Sequence, residues 1–218
     1  MGMLIFHSSL FTLHSSLFTL HSSLFTLHSS LMEVLLHSCC APCSSAIIEW
    51  MLNNDVRPII YYYNPNIFPQ EEYLIRKNEI TRYADKLGLT IIDGDYDHQS
   101  WREYVTGNVR DCYGLDAASQ PERGVRCLEC FKMRLLHSAM KCRELGLPTF
   151  TTTLASSRWK SLPQITEAGE WAAAQVGGVT FDARNWRKGG LQERRNQLLK
   201  ENNFYNQLYC GCEFSQHS

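Results

Sequence analysis

The order of strand-like and helical segments most constrains how this chain can fold. Short runs rich in β-branched and aromatic residues predict strands, at 34–37, 56–63, 89–92 and 149–154. Apolar residues at helical spacing between and after these runs predict helices, at 42–53, 70–87, 99–106, 127–145, 161–176 and 190–203. Strands that alternate with helices in this way form a parallel sheet. We therefore expect an α/β fold with helices on both faces of one parallel sheet.

The first 31 residues differ from the rest of the chain. Three identical copies of His-Ser-Ser-Leu-Phe-Thr-Leu occupy 7–13, 14–20 and 21–27, and a truncated fourth copy runs into Met32. Units of seven residues are shorter than those of repeat folds. No charged residue precedes Glu33, so a signal peptide is not expected. We expect residues 1–31 to be a disordered or dispensable low-complexity segment, and residues 32–218 to form a single catalytic domain.

The overall composition is that of an ordinary globular protein. Of the 218 residues, 44% are hydrophobic and 20% are charged. The formal net charge is −1, so any contact with nucleic acid has to come from a local basic patch. No apolar run is long enough to cross a bilayer, and we expect no membrane partner.

The cysteines are the most informative residues for function. There are nine, in a triplet, a C-x-x-C pair, a C-x-C pair and two isolated positions: Cys39, Cys40, Cys43, Cys112, Cys127, Cys130, Cys142, Cys210 and Cys212. An odd number without a secretory signal argues for thiols that are kept reduced in the cytoplasm. Their uneven spacing is typical of metal ligands and redox pairs rather than of a disulfide framework.

The triplet follows the first predicted strand, at the edge of the sheet where open α/β folds bind ligands. Cys127 and Cys130 begin a predicted helix, where the helix dipole favours the thiolate. Because successive side chains diverge, Cys39 and Cys40 suit a polynuclear cluster better than one tetrahedral ion. The residues therefore favour a [4Fe-4S] cluster held by Cys39, Cys40, Cys127 and Cys130. Structural zinc and an empty dithiol site are the alternatives.

Cys40-Ala41-Pro42-Cys43 also matches the C-x-P-C motif of thioredoxin-like proteins. A thioredoxin domain is shorter than this chain and does not need the other cysteine pairs, but the match keeps a rival interpretation open. For Cys43 itself the sequence allows three roles: a ligand of the cluster, a ligand of a second metal, or a core residue of the helix.

Cys210-Gly211-Cys212 forms a further pair near the end of the chain. A disulfide closed across one residue is strained, and strained disulfides are the labile, redox-active ones. We therefore expect a redox role, with a metal-binding C-x-C or two unrelated thiols as alternatives. Cys142 lies well inside a predicted helix and is expected in the core.

Two stretches combine basic and aromatic residues. One is 184–190, followed closely by Arg194 and Arg195, and the other is 156–160, just after a predicted strand. Such side chains suit phosphate contacts and base stacking in RNA binding, although a solvated charged face is the commoner explanation for a run of charges.

Five motifs, in this order along the chain, resemble those of the cobalamin-independent epoxyqueuosine reductases of the QueH type. They are His37-Ser38-Cys39-Cys40-Ala41-Pro42-Cys43, Tyr63-Asn64-Pro65-Asn66-Ile67, Glu122-Arg123-Gly124-Val125-Arg126-Cys127-Leu128-Glu129-Cys130, Thr152-Thr153-Leu154 and Tyr209-Cys210-Gly211-Cys212. The resemblance covers about 32–216. The chain departs from the family pattern in its repeats and at Arg158-Trp159.

The resemblance implies an enzyme that reduces the epoxide of epoxyqueuosine, at the wobble position of tRNA, to the cyclopentene of queuosine. It implies a [4Fe-4S] cluster on Cys39, Cys40, Cys127 and Cys130 and a redox-active disulfide of Cys210 and Cys212. It also implies an additional mononuclear iron beside the cluster, to which no ligands are assigned. The implied fold is a Rossmann-like sheet related to adenine-nucleotide α-hydrolases, with a cysteine-rich C-terminal tail. The implied partners are the tRNA and an external electron donor, in the cytoplasm.

Epoxide deoxygenation requires two electrons and two protons, which a Cys210–Cys212 dithiol can deliver as it closes to the disulfide. The candidate proton donors are His37, Tyr209 and Lys188. Two other functions remain open on the sequence: a thioredoxin-like thiol–disulfide oxidoreductase and a non-catalytic, zinc-stabilised RNA-binding module.

Overall fold

The structure is a computed structural model, and it describes residues 32–215. The strands of this part are β1 (Met32–His37), β2 (Val56–Tyr62), β3 (Ile91–Asp93), β4 (Thr149–Thr152) and β5 (Thr180–Phe181). Its α-helices are α1 (Ala41–Leu52), α2 (Gln70–Lys86), α3 (His98–Tyr113), α4 (Val125–Glu144), α5 (Leu162–Val176) and α6 (Leu191–Glu201). Short 3₁₀ helices occupy Thr153–Ser156 and Glu213–Ser215. The repeats at 1–31 lie outside the described residues, so the expectation about them stays a prediction.

All five strands are parallel, in the order β3-β2-β1-β4-β5. The chain moves outward from β1 to β2 and β3, and then returns past β1 to β4 and β5. Right-handed crossovers place the helices of these two excursions on opposite faces of the sheet. Accordingly α1 packs against α2 and α6, whereas α4 packs against α3 and α5. The predicted Rossmann-like α/β fold is confirmed.

The central strand β1 is the most enclosed element. Leu35 and Leu36 are fully buried and Val34 nearly so. Because helices cover both faces of the sheet, this strand is a continuous apolar run rather than an alternating one. The buried strand fixes the position of the turn that follows it, which carries the first cysteines.

The structure differs from the sequence-based prediction in three elements. The helix predicted at 99–106 continues to Tyr113, since Val105 and Val109 face the core, and it ends at the left-handed Gly114. The strand predicted at 149–154 stops at Thr152, where a 3₁₀ helix begins. The edge strand β5 was not predicted, because two residues carry no periodic signal.

The segment after α6 crosses the residues that follow the carboxyl end of β2. The Tyr209 hydroxyl donates to the Phe68 carbonyl at 2.6 Å, and the Phe68 N–H donates to the Gly211 carbonyl at 2.8 Å. Further on, Glu213 pairs with Arg102 of α3 at 3.2 Å. The tail is therefore attached at several points. Separately, none of the helices that the structure describes is long and apolar enough to cross a membrane.

Candidate active site

The site lies where the strand order reverses. β1 and β4 are neighbours in the sheet, and their helices leave toward opposite faces, which opens a crevice at the carboxyl ends of these strands. His37 ends β1 opposite Thr152, the last residue of β4. Cys39 and Cys40 follow immediately, and Cys40 is the N-cap of α1. The topology therefore brings the first cysteines to the place where such sheets bind ligands.

Buried polar side chains hold this turn. Asn64, after β2, donates its side-chain amide to the Ser38 carbonyl at 2.9 Å. Arg134 of α4 in turn donates to the Asn64 side-chain oxygen at 2.6 Å. The Ser44 hydroxyl donates to the Cys40 carbonyl at 2.7 Å within the first turn of α1. Three separate segments thus fix the backbone of the turn that carries the thiols.

His37 belongs to this framework rather than to the reactive surface. Its Nδ1 lies 2.7 Å from Thr152 Oγ1 and its Nε2 lies 3.1 Å from the Tyr63 carbonyl. Complete burial, with Arg134 nearby, lowers the pKa of His37 to about 3. The ring is neutral, with Nε2–H donating to Tyr63, and holds β4 and the segment after β2 together. Its one N–H is bonded to the Tyr63 carbonyl, and His37 does not line the cavity.

Cys39, Cys40 and Cys43 form a compact triad. Their sulfurs all lie within 4.8 Å of one another, and no other group of three or more potential Cys, His, Asp or Glu ligands in residues 32–215 is that compact. The Cys39 and Cys40 sulfurs are 3.8 Å apart. Metal–sulfur bonds of about 2.3 Å in a tetrahedron place two sulfurs about 3.8 Å apart. Although successive side chains of an extended backbone generally diverge, the sulfurs of these two adjacent thiols lie close enough to ligate one ion.

The three thiols of the triad differ in protonation. Hydrogen bonds from Cys40 and Cys43 hold the pKa of Cys39 well below that of free cysteine, against the effect of burial. Burial raises the pKa of Cys40 well above its ordinary value, and the hydrogen bond to Cys39 raises the pKa of Cys43 to about 11. Thr153 also donates to the Cys39 sulfur at 3.4 Å. The hydrogen bonds within the triad thus favour the charged form of Cys39 over those of Cys40 and Cys43.

Cys127 and Cys130 lie in the first turns of α4, as predicted. Cys127 accepts from the Arg123 N–H at 3.3 Å and lines the same cavity as Cys39. Burial nevertheless raises the pKa of Cys127 to about 11 and also raises that of Cys130. Burial disfavours the charged thiolate, and its effect outweighs the lowering of the pKa that was expected from the helix dipole.

Cys210 and Cys212 come from the tail and are free thiols here. Cys210 lines the main cavity, and both line a small void together with Cys127 and Cys130. Burial, with Cys210 beside it, raises the pKa of Cys212 to about 12. The tail thus brings the C-x-C pair to the cysteines of α4.

Arg76 and Gly211 determine the course of the tail at this point. Arg76 donates to the carbonyls of Cys210 and Tyr209 at 3.2 and 3.3 Å, and it is ion-paired with Glu72. Gly211 has φ +109°, and a Cβ there would lie 2.9 Å from the Arg76 guanidinium. Only glycine fits this close approach.

The cavity between these cysteines has a volume of about 620 Å³ and is strongly basic. One carboxylate, Glu122, faces six cationic side chains on its lining: Arg76, Arg123, Arg134, Arg158, Lys160 and Arg195. Three buried atoms of its lining residues, Arg134 Nε, Asn66 Oδ1 and Gln207 Oε1, have no hydrogen-bond partner among the described residues. Thiols, cations and unpaired polar atoms together fit an anionic, thiolate-bound metal group such as an iron–sulfur cluster.

Sequence reasoning missed two residues of the cavity. Gln207 donates its amide to the Cys40 sulfur at 2.8 Å. Lys160 lines the cavity, and although burial lowers its pKa, its interactions with the thiols of Cys210, Cys39 and Cys43 outweigh this and raise it. Lys160 belonged to a predicted basic stretch, but nothing in that pattern separated it from its neighbours.

Several predicted site residues lie elsewhere. Lys188 is exposed and does not line the cavity. Trp186 is buried against Trp50, with ring centroids 5.4 Å apart, and is not available for base stacking. Arg194 is paired with Glu49 at 2.7 Å. Cys142 lies in the core as expected, and its thiol donates to a backbone carbonyl.

Comparison with known proteins identifies the family. The family model described as epoxyqueuosine reductase QueH matches residues 34–218. The epoxyqueuosine reductase QueH of Histophilus somni is 44% identical over 84% of this chain and 72% of its own length. Its counterpart in Haemophilus influenzae is 44% identical over 84% and 71%, and that of Acinetobacter baylyi is 41% identical over 84% and 80%. With the crevice, the cysteines and these matches taken together, the chain belongs to the epoxyqueuosine reductase QueH family.

Proposed function

We propose that this protein is an epoxyqueuosine reductase that converts epoxyqueuosine in tRNA to queuosine, the last step of queuosine biosynthesis. Membership of a family of oxidoreductases supports the reaction class. The observation that carries the proposal is one basic cavity lined by Cys39, Cys127 and Cys210, which come from all three predicted cysteine groups. Such a cavity suits an anionic substrate and electron transfer.

Cys39, Cys40, Cys127 and Cys130 would hold a [4Fe-4S] cluster, and Cys43 remains available as a ligand for an additional mononuclear iron. The shared lining of Cys39 and Cys127 supports a site bridged between α1 and α4. The cations of the cavity support it too, since such a cluster is anionic. When bound, the cluster supplies low-potential electron transfer. Hydrogen bonds such as the one from Gln207 to Cys40 tune the potential of such a centre.

The protein's own residues can balance the reaction. Two C–O bonds of the epoxide break, the C=C bond forms, and the oxygen leaves as water after taking up two protons. Cys210 and Cys212, as a dithiol, supply two electrons and two protons and become the disulfide. An external electron donor then reduces the disulfide for the next turnover.

The sequence offered His37, Tyr209 and Lys188 only as candidate proton donors; with both protons coming from the dithiol, Lys160 is the cation that would act on the departing oxygen. It lines the cavity with Cys210, and its ammonium group stabilises negative charge on the departing oxygen. Tyr209 also lines the cavity, but its hydroxyl already donates to the Phe68 carbonyl.

Turnover of a stem–loop RNA that carries epoxyqueuosine tests the proposal. The wild-type protein should release queuosine-containing RNA with a reductant in excess. Cys210→Ser should keep the visible absorption of the cluster and lose multiple turnover, because the single thiol of Cys212 cannot supply two electrons by closing to a disulfide. Cys112→Ser, which removes an exposed thiol outside the cavity, is the control. Normal multiple turnover by Cys210→Ser would exclude the dithiol role.

A zinc-stabilised RNA-binding module is the second candidate, and the compact triad is the observation that favours it. Metal analysis of anaerobically purified variants separates the two. If the protein holds the proposed cluster, Cys130→Ser should lose iron and sulfide, whereas Cys43→Ser should retain the four irons of the cluster. With a single ion on the triad, Cys43→Ser should lose the metal and Cys130→Ser should retain it. Zinc in place of iron would favour the binding module.

The thioredoxin-like alternative has less support. The first thiol of its motif, Cys40, is 1% exposed, whereas a disulfide-exchange nucleophile is accessible and has a lowered pKa. The electron donor and a cytoplasmic location both stay predictions.

A further inference from the structure

Trp159 is the exception among the tryptophans. The chain has five, and four of them contact another aromatic ring or a cation: Trp50, Trp101, Trp171 and Trp186. In the described part of the chain Trp159 has neither kind of neighbour, and it is 77% exposed. It also lines the cavity of the site, so its exposed indole lies at the mouth. Packing of the fold does not account for this side chain.

The loop that carries Trp159 is firmly held. Arg123 donates to the carbonyls of Arg158 and Trp159, both at 2.9 Å. Arg187 donates to the next carbonyl, that of Lys160, at 2.8 Å. The side-chain amide of Gln164 donates to the Arg123 carbonyl at 2.9 Å. Three successive carbonyls are therefore bound by guanidinium groups, and the indole is exposed on a fixed loop.

The surroundings of Trp159 are basic. Arg158 and Arg195 line the same cavity, and neither of them forms an ion pair within residues 32–215. Guanidinium groups without carboxylate partners suit phosphates. An apolar protein surface placed on the indole would bury these charges without partners, which is costly. Nucleic acid supplies both a flat apolar base and the phosphates.

We propose that Trp159 is a stacking platform for an unpaired nucleobase of the anticodon loop, next to the base that enters the cavity. The inference rests on the proposed function, since it takes the substrate to be RNA, and it assigns one residue to recognition of the loop. Single-stranded RNA is recognised by aromatic stacking beside arginines that contact the backbone. Leu208, which is 92% exposed on the same cavity, adds an apolar contact for the loop.

Fluorescence and binding with an anticodon stem–loop RNA test the platform. Stacking should quench the tryptophan emission of the wild-type protein, and Trp159→Phe should lose this quenching while it keeps most of the affinity. Trp159→Ala should weaken binding by about 5- to 150-fold. Met140→Ala removes a 49% exposed side chain outside the cavity and should bind as the wild type does.

The outcomes separate this inference from the proposed function. In turnover assays Trp159→Ala should raise KM for the stem–loop and keep the rate at saturating RNA. If the wild-type protein reduces epoxyqueuosine but Trp159→Ala changes neither the affinity nor the KM for the RNA, the platform is overturned and the reductase function stands. Quenching through Trp159 without any reduction of epoxyqueuosine would support the platform and refute the reductase. The platform is also overturned if RNA leaves the tryptophan emission of the wild-type protein unchanged and Trp159→Ala binds the RNA with the same affinity as wild type.

Discussion

Among the cations of the cavity, Lys160 is set apart by its neighbours. Its interactions with the thiols of Cys210, Cys39 and Cys43 keep its pKa above the ordinary value despite burial. Arg123 and Arg158, by contrast, are engaged in holding a loop or lie exposed at the mouth. A protonated amine in the same cavity as Cys210, a thiol of the proposed dithiol, would be well placed to neutralise charge on a departing oxygen.

Lys160→Gln should therefore lower kcat by about 100-fold or more, which is typical of the loss of a group that stabilises developing negative charge. Iron and sulfide content and KM for the RNA should remain close to wild type, because the change removes a positive charge and not a thiol. Lys188→Gln is the matched control, since Lys188 is exposed outside the cavity. Equal kcat values for the two variants would show that Lys160 does not act in the chemistry.

At the scale of elements, the reversal of strand order between β1 and β4 explains why distant motifs meet. Cys39 follows one strand and Thr153 follows the other, and their contact at 3.2 Å joins the two halves of the sheet. α1 is fixed on its outer side as well, where Arg194 of α6 forms two hydrogen bonds of 2.7 Å with Glu49. The first cysteine-bearing helix is thus held at both ends.

The Glu49–Arg194 pair should make a small contribution to stability that depends on pH. The hydrogen bond to Arg194 lowers the pKa of Glu49 in the folded protein. The contribution is therefore present above the unfolded pKa of about 4.5 and is lost as the pH falls through the lower folded value. Because the pair is about a third exposed, Glu49→Gln should cost at most about 1 kcal/mol at pH 7.

Urea unfolding across the pH range measures this effect. The unfolding free energies of wild type and Glu49→Gln should converge below about pH 4.5. Glu170→Gln, which changes an exposed carboxylate inside α5 that has no ion pair in the described part, should match wild type throughout. A difference that persists in acid would mean that Glu49 acts through packing.

At the scale of the whole molecule, the alternation of elements was sufficient to predict the sheet, its parallel strands and the helices on both faces. The cysteines of the site were also identifiable, because the triplet and the C-x-x-C begin helices at the sheet edge. Gln207 and Lys160 were not, since their importance arises from contacts with Cys40 and Cys210 that depend on how the tail and a loop pack. The 3.8 Å separation of the Cys39 and Cys40 sulfurs shows the same limit, because adjacency in sequence does not determine that distance.

The two ends of the chain should differ in their importance. A protein that starts at Met32 should keep the turnover rate and melting temperature of the full chain, since the family match begins at residue 34. A protein that ends before Phe204 should lose turnover, because it lacks Gln207, Cys210 and Cys212. Both are measured on stem–loop RNA, beside thermal unfolding. A large loss of activity on removal of residues 1–31 would refute the prediction that they are dispensable.

The course of the tail also has a consequence for how the enzyme is assembled in the cell. The ribosome delivers Cys39 and Cys127 long before the tail, and Arg76 binds the tail carbonyls only after that last stretch has emerged. Until then the cavity lacks one wall, and the thiols of α1 and α4 are more accessible. The proposed cluster would be inserted by this wider route, and docking of the tail would then close the site and bring in the proposed redox pair.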